Sequence, residues 1–209
     1  TVERAEKSAY QTDETDPEAY LTPVIDTAGD TDFSAIADEI TAGKTSELVK
    51  SRAIYDHTIE YMRYAKFGDY GSGDALHARH QAHGNCTEYH AYFISLSRAA
   101  GIPARFAIGA AVPAARDEGG VDGYHCWAEF YAEGKWWPVD ISEADKYSAL
   151  STYYFGHNPA NRIELSRGRG LVVEPGPSSG PIDFLAYPVL EVEGEPVPVK
   201  PTFSFERIE

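Results

Sequence analysis

The sequence predicts a mixed fold, with helices in its first half and short, paired strands in its second. Two helical patterns, over residues 33–66 and 86–100, carry the first part. Three strand-like runs carry the second, over 104–111, 124–131 and 136–141. Between the last two runs stands a two-residue turn signal, Glu133-Gly134. At 209 residues the chain suits one well-buried core. The division expected is an acidic lead segment, 1–32, followed by a single domain, 33–209.

Each element has a local reason. Pro17, Pro23 and Gly29 punctuate the lead segment and read as extended chain. Ile36, Ile40, Leu48, Ile54, Ile59 and Met62 recur near helical spacing, with a break at Gly43. Thr45 or Ser46 caps the second helix there, with Leu48, Tyr55, Ile59 and Met62 facing the core. The Gly-, Asp- and His-rich stretch 67–84 reads as a loop. Asn85 is a good N-cap, and Glu88 three residues later completes a capping box. Tyr89, Phe93, Leu96 and Ala100 then share one stripe, until Gly101 ends the helix and Pro103 forbids its return. Residues 112–122 read as a loop, 175–181 as a turn-rich connector, and 184–192 as a strand.

Composition narrows the partners. The net charge of −15 argues against nucleic acid and anionic membrane surfaces, which need clustered Lys and Arg. No apolar run approaches the roughly 20 residues that cross a bilayer, so no membrane insertion is expected. The acidity fits a periplasmic or secreted setting, and a start at Thr1 rather than Met is compatible with a processed chain. Two cysteines are too few for a disulfide framework. A Cys86–Cys126 bridge would consume the residue with the most chemical promise.

That residue is Cys86. Behind an Asn85 cap it is the first helical residue, where unpaired N–H groups and the helix dipole favour a thiolate. Its own N–H is available as an oxyanion-hole donor. His125 and Asp140 follow in the order of a base and the carboxylate that orients it. A two-residue turn at Glu133-Gly134 pairs Ala132 with Lys135 and puts Asp140 opposite Trp127. His125 and Asp140 are then diagonal neighbours on one face, about 7–8 Å apart at the backbone. Trp127, Glu129, Tyr131 and Trp136 share that face, and Trp127 and Trp136 are either cleft walls for a substrate or aromatic core. Cys126 falls on the other face and reads as a packed structural thiol. A rival cluster, His77, His80, His83, Cys86 and His90, matches no defensible four-ligand zinc spacing. The acidic stretches at 13–18 and 117–122 lack a calcium-loop pattern.

Gly84-Asn85-Cys86, the run from Arg98 to Arg105 (RAAGIPAR), Tyr124-His125-Cys126-Trp127-Ala128-Glu129 and Trp137-Pro138-Val139-Asp140 together resemble the transglutaminase-like superfamily, in particular its bacterial members. The resemblance is strong over about 50–142. It continues more weakly through Tyr154-Phe155-Gly156, Arg162 and Ser166–Arg169 to Tyr187-Pro188. It implies a papain-like α+β fold: a nucleophile-bearing helix packed on an antiparallel sheet that carries the His and the Asp. It implies that 33–209 is a catalytic domain acting on a peptide or protein substrate by a Cys86–His125–Asp140 triad, with no cofactor. Two positions depart from the family. Thr87 follows the cysteine where animal transglutaminases have Trp, which weakens protein cross-linking and calcium activation. Gly170 stands where the bacterial Gly-Arg-Asp motif has an acid. Hydrolysis of an amide or peptide bond is the reading reached. Transfer to an amine, or a catalytically idle scaffold, remain the alternatives.

Overall fold

The computed structural model describes residues 17–21 and 32–208; the rest of the lead segment lies outside the described residues. The described chain divides into two compact units. The larger holds 17–21, 32–106 and 126–158, and the smaller holds 107–125 and 159–208.

In the larger unit, α1 (Asp32–Thr41) and α2 (Glu47–Tyr61) follow the expected helical pattern. Ser46 caps α2 by accepting the Val49 N–H. The buried stripe of α2 is Ser51, Ile54, Tyr55 and Thr58, continued by Met62; Leu48 and Ile59 are only half-buried, one step off the expected face. The 67–84 stretch is not all loop. It contains α3 (Ala75–Gln81), a short helix capped by Asp74, whose Oδ1 accepts the Leu76 and His77 N–H groups at 2.8 and 3.2 Å. Seven residues are too few for a clear periodic signal, so only the cap could have announced it. Two-residue strands flank it, β1 (Arg63–Tyr64) and β2 (His83–Gly84), paired in parallel.

The central element is α4 (Cys86–Ala99). Every residue from Cys86 to Ser97 is buried, polar ones included, so the helix is enclosed all round rather than along one stripe. Helices α1, α2, α3 and α5 (Ile141–Lys146) pack against it. Its remaining side meets the sheet, where Phe93 lies edge-on to Phe130 at 6.3 Å between centroids. The sheet hairpin is β5 (His125–Ala132) and β6 (Lys135–Val139), antiparallel from Ala132↔Lys135 to Ala128↔Val139, the expected register. Glu133 and Gly134 both have positive φ, 53° and 78°, which makes the connection a two-residue turn matched to the strands' twist. Ile141 does not extend β6 as expected; it opens α5, because Asp140 is that helix's cap. β3 (Ala104–Ala111) lies beside β5. In the larger unit Tyr131 donates its N–H to Pro103 O at 2.9 Å.

The larger unit also buries an ion pair with no exposed side-chain surface. Arg105 Nε donates to Glu129 Oε2 at 2.7 Å. The guanidinium lies 3.8 Å above the Trp136 ring, and Tyr20, from the Pro17–Tyr20 turn, faces both groups.

In the smaller unit the rest of β3 pairs with β7 (Arg162–Arg167), with a bulge between Ile108 and Gly109. A Cβ on Gly109 would stand 1.9 Å from the Ile163 carbonyl oxygen, so only glycine lets these backbones meet. The expected 112–122 loop includes β4 (Glu118–Val121), paired with the distant β10 (Phe203–Glu206). The expected strand over 184–192 is reduced to β8 (Glu191–Val192), paired with β9 (Glu195–Pro196). Pro188 has no N–H for a ladder, and Val189 and Leu190 are each 48% exposed, so the alternation there has no buried face to serve.

Candidate active site

The nucleophile candidate is anchored by a buried carboxylate. Asn85 and Glu88 form the capping box: Asn85 Oδ1 accepts the Thr87 N–H at 2.8 Å, and Glu88 Oε2 accepts the Asn85 N–H at 3.0 Å. Glu88 does more than cap. Its Oε1 accepts the N–H groups of Gly71 and Gly73 at 2.8 and 3.0 Å, tying the glycine-rich loop to the start of α4. Gly84 is needed at the approach, because a Cβ there would fall 2.5 Å from Glu88 Cβ. Cys86 therefore starts its helix in a rigid setting and is 5% exposed.

Asp140 is held just as firmly at the start of α5. Its Oδ1 accepts from the Glu143 N–H and the Ser142 hydroxyl, both at 3.2 Å, and its own N–H donates to Tyr154 O at 3.2 Å. It is fully buried.

Cys126 interacts with both. It is fully buried, as expected of a packed thiol, but its neighbours are those of the site. It shares a hydrogen bond with Cys86 and feels the charges of Cys86, Asp140 and Glu88; burial first, then these contacts, push its thiol well above the ordinary range. Its sulfur is 3.7 Å from His90 Nδ1, and His90 Nε2 accepts the Ile141 N–H at 3.1 Å. Neither cysteine is in a disulfide. The structure thus gathers Cys86, His90, Cys126 and Asp140 in the larger unit. His125, bonded to Cys126, opens β5 and is 9% exposed.

These features agree with a match to the transglutaminase-like superfamily across residues 34–141, just over half of the chain. The chain belongs to that superfamily. A protein of uncharacterised function from Haemophilus influenzae is 32% identical over 218 residues, covering 87% of this chain and 58% of its own. The chain thus spans well under two thirds of that relative's length. Among solved structures, a candidate cysteine protease from Cytophaga hutchinsonii superposes with a TM-score of 0.56 at 18% identity, over 74% of this chain and 48% of that one. That likeness shows the fold: mixed helix and antiparallel sheet, with the cysteine helix against the sheet. The periplasmic domain of TgpA from Pseudomonas aeruginosa gives a TM-score of 0.48 at 22% identity, over 66% of this chain and 51% of that one.

Trp127 and Trp136 are 0% and 2% exposed, so neither presents a wall to a substrate here. Trp136 serves the core instead, under Arg105 and against Tyr131. Of the rival cluster, His77 and His80 sit on α3, His83 on β2 and His90 inside α4. Among the described residues, no group of three His, Cys, Asp or Glu is placed to hold a metal ion. Gly170 has φ +61°, a left-handed conformation that suits glycine best, so the departure from the bacterial motif has a backbone reason. No helix among the described residues is long and apolar enough to cross a membrane. Sequence reasoning missed His90 as a partner of Cys126. The only signal was its position four residues after Cys86, which puts both on one helical face.

Proposed function

We propose that this member of the transglutaminase-like superfamily is a cysteine hydrolase acting on an amide or peptide bond. The observation that carries the reading is Cys86 as the first residue of a capped, enclosed helix. There the helix N-terminus, with its capping box, favours a thiolate and the negative charge that develops as the thiolate attacks. Support also comes from the buried Asp140, which acts electrostatically on the same Cys126 that hydrogen-bonds Cys86.

In this mechanism Cys86 Sγ attacks the carbonyl carbon and forms a C–S bond. His125 takes the thiol proton and delivers it to the leaving amine as the C–N bond breaks. Water then attacks the thioester, His125 takes a proton from that water, and the acid leaves with the thiol restored. Asp140 orients His125 and stabilises its protonated form. The substrate is a peptide or protein, and the setting is periplasmic or secreted. Incubation with a glutamine-containing protein and a labelled primary amine tests the reading. New N-termini or ammonia without label transfer support hydrolysis. Label transfer identifies amine acylation, and neither product, with an unreactive Cys86, favours an idle scaffold.

A further inference from the structure

His90 and Cys126 form a directed chain of hydrogen bonds that ends on Cys86. The sense of the chain is fixed at its far end. The Ile141 N–H can only donate, so His90 Nε2, 3.1 Å away, must offer a lone pair. In the neutral ring the proton is then on Nδ1, which faces Cys126 Sγ at 3.7 Å. His90 therefore donates to the Cys126 sulfur. Burial, followed by the contact with Cys86, keeps the Cys126 thiol protonated. With a lone pair of that sulfur engaged by His90, its S–H points to its other sulfur neighbour, Cys86. All of these groups are buried, Cys126 and His90 completely, so bulk water does not compete for the bonds.

We propose that Cys126, locked by His90, is a positioning residue that donates its S–H to the Cys86 thiolate, aiming and stabilising the nucleophile. This rests on the reading of Cys86 as the nucleophile. It assigns a role to the second cysteine, which would otherwise be core packing. Ile141, whose N–H sets the sense, directly follows Asp140, so the start of α5 pins the nucleophile's supporting chain as well as presenting the carboxylate.

The test is alkylation of Cys86 by iodoacetamide as a function of pH, read by peptide mass spectrometry so that Cys86 and Cys126 are counted separately. It needs no substrate. The variants are Cys126→Ala, Cys126→Ser and His90→Gln, each checked for folding by circular dichroism. The carboxylates of Glu88 and Asp140, which act on the same pair, are intact in all three. Cys126→Ala removes the donor to the thiolate. Its labelling limb should move up by about one pH unit, so that labelling below the limb is about tenfold slower. Cys126→Ser keeps an O–H donor and should return the limb close to that of the wild type. His90→Gln can still accept from the Ile141 N–H but has no donor at the Nδ1 position, so it should shift the limb in the same direction as Cys126→Ala. If Cys126→Ala does not fold, the contrast between Cys126→Ser and His90→Gln decides. An unmoved limb in Cys126→Ala, or in His90→Gln when that contrast decides, overturns the proposal alone. Wild-type labelling that rises only near the ordinary thiol value, about 8.5, overturns the nucleophile reading and this role together.

Discussion

Replacing Glu88 by Gln should loosen the nucleophile's support by an amount that follows from its hydrogen bonds. The carboxylate accepts from three backbone donors, the N–H groups of Gly71, Gly73 and Asn85, while the single proton of the nearby Thr87 hydroxyl goes to Asn85 Oδ1 at 2.6 Å. Gln keeps the shape but has one oxygen and one NH2. If the oxygen stays with Gly71 and Gly73, the NH2 faces the Asn85 N–H, donor against donor. A buried N–H left without an acceptor costs about 1–3 kcal/mol. The two surviving bonds fall from charge-assisted to neutral strength, a loss of about 1 kcal/mol each. The sum, about 3–5 kcal/mol, is a large fraction of the roughly 5–15 kcal/mol that holds a domain together. Urea unfolding followed by tryptophan fluorescence should show a lower midpoint with little change in slope. Hydrogen exchange at Gly71 and Gly73 should speed up if the amide turns the other way. A loss below about 1 kcal/mol, with exchange at all three glycine and asparagine amides unchanged, would refute the anchoring role.

Three further outcomes are expected. Gly84→Ala should destabilise by about 1–3 kcal/mol and lower thiol-dependent activity, since the new Cβ forces Glu88 aside; chemical denaturation and turnover measured together check this. Glu129→Ala should cost about 3–5 kcal/mol because it strips the carboxylate from a fully buried guanidinium, whereas joint Arg105→Met and Glu129→Leu should recover most of that in the same unfolding assay. Burial raises the phenols of Tyr55, Tyr89 and Tyr92 above their ordinary value. The folded state therefore binds more protons than the unfolded one at alkaline pH. The stability from these neutral phenols is complete below the unfolded value of about 10 and drains away as pH climbs through the folded ones. The melting temperature should fall steeply above about pH 10, and Tyr55→Phe should flatten that fall.

What the sequence disclosed was decided by near neighbours. The capping box at Asn85 and Glu88 spans four residues, and the Glu133-Gly134 turn fixes the β5–β6 register by itself, so both were readable. Asp140 could be placed by that register, though its capping of α5 went unseen because an N-cap Asp and a strand-ending Asp look alike until the next helix is known. Other features depend on partners far along the chain. β4 exists because β10, more than 80 residues later, pairs with it. The alternation over 184–192 suggested a strand, but no buried face rewards it. Strand alternation assigns Cys126 only to packing, because it tells which face a side chain takes, not what waits on that face. The sulfur of Cys86 and the ring of His90 are there only because α4 lies across β5.

The central claim is that Cys86 carries the acyl group during turnover. Intact-protein and peptide mass spectrometry after brief exposure to an activated ester, quenched in acid, measures this directly. The expected result is a single acyl adduct on Cys86 that decays in water, disappears with hydroxylamine and is absent from Cys86→Ala. A Cys86→Ala protein that retains full activity, or an adduct spread equally over Cys126 and surface lysines with none enriched at Cys86, would contradict it.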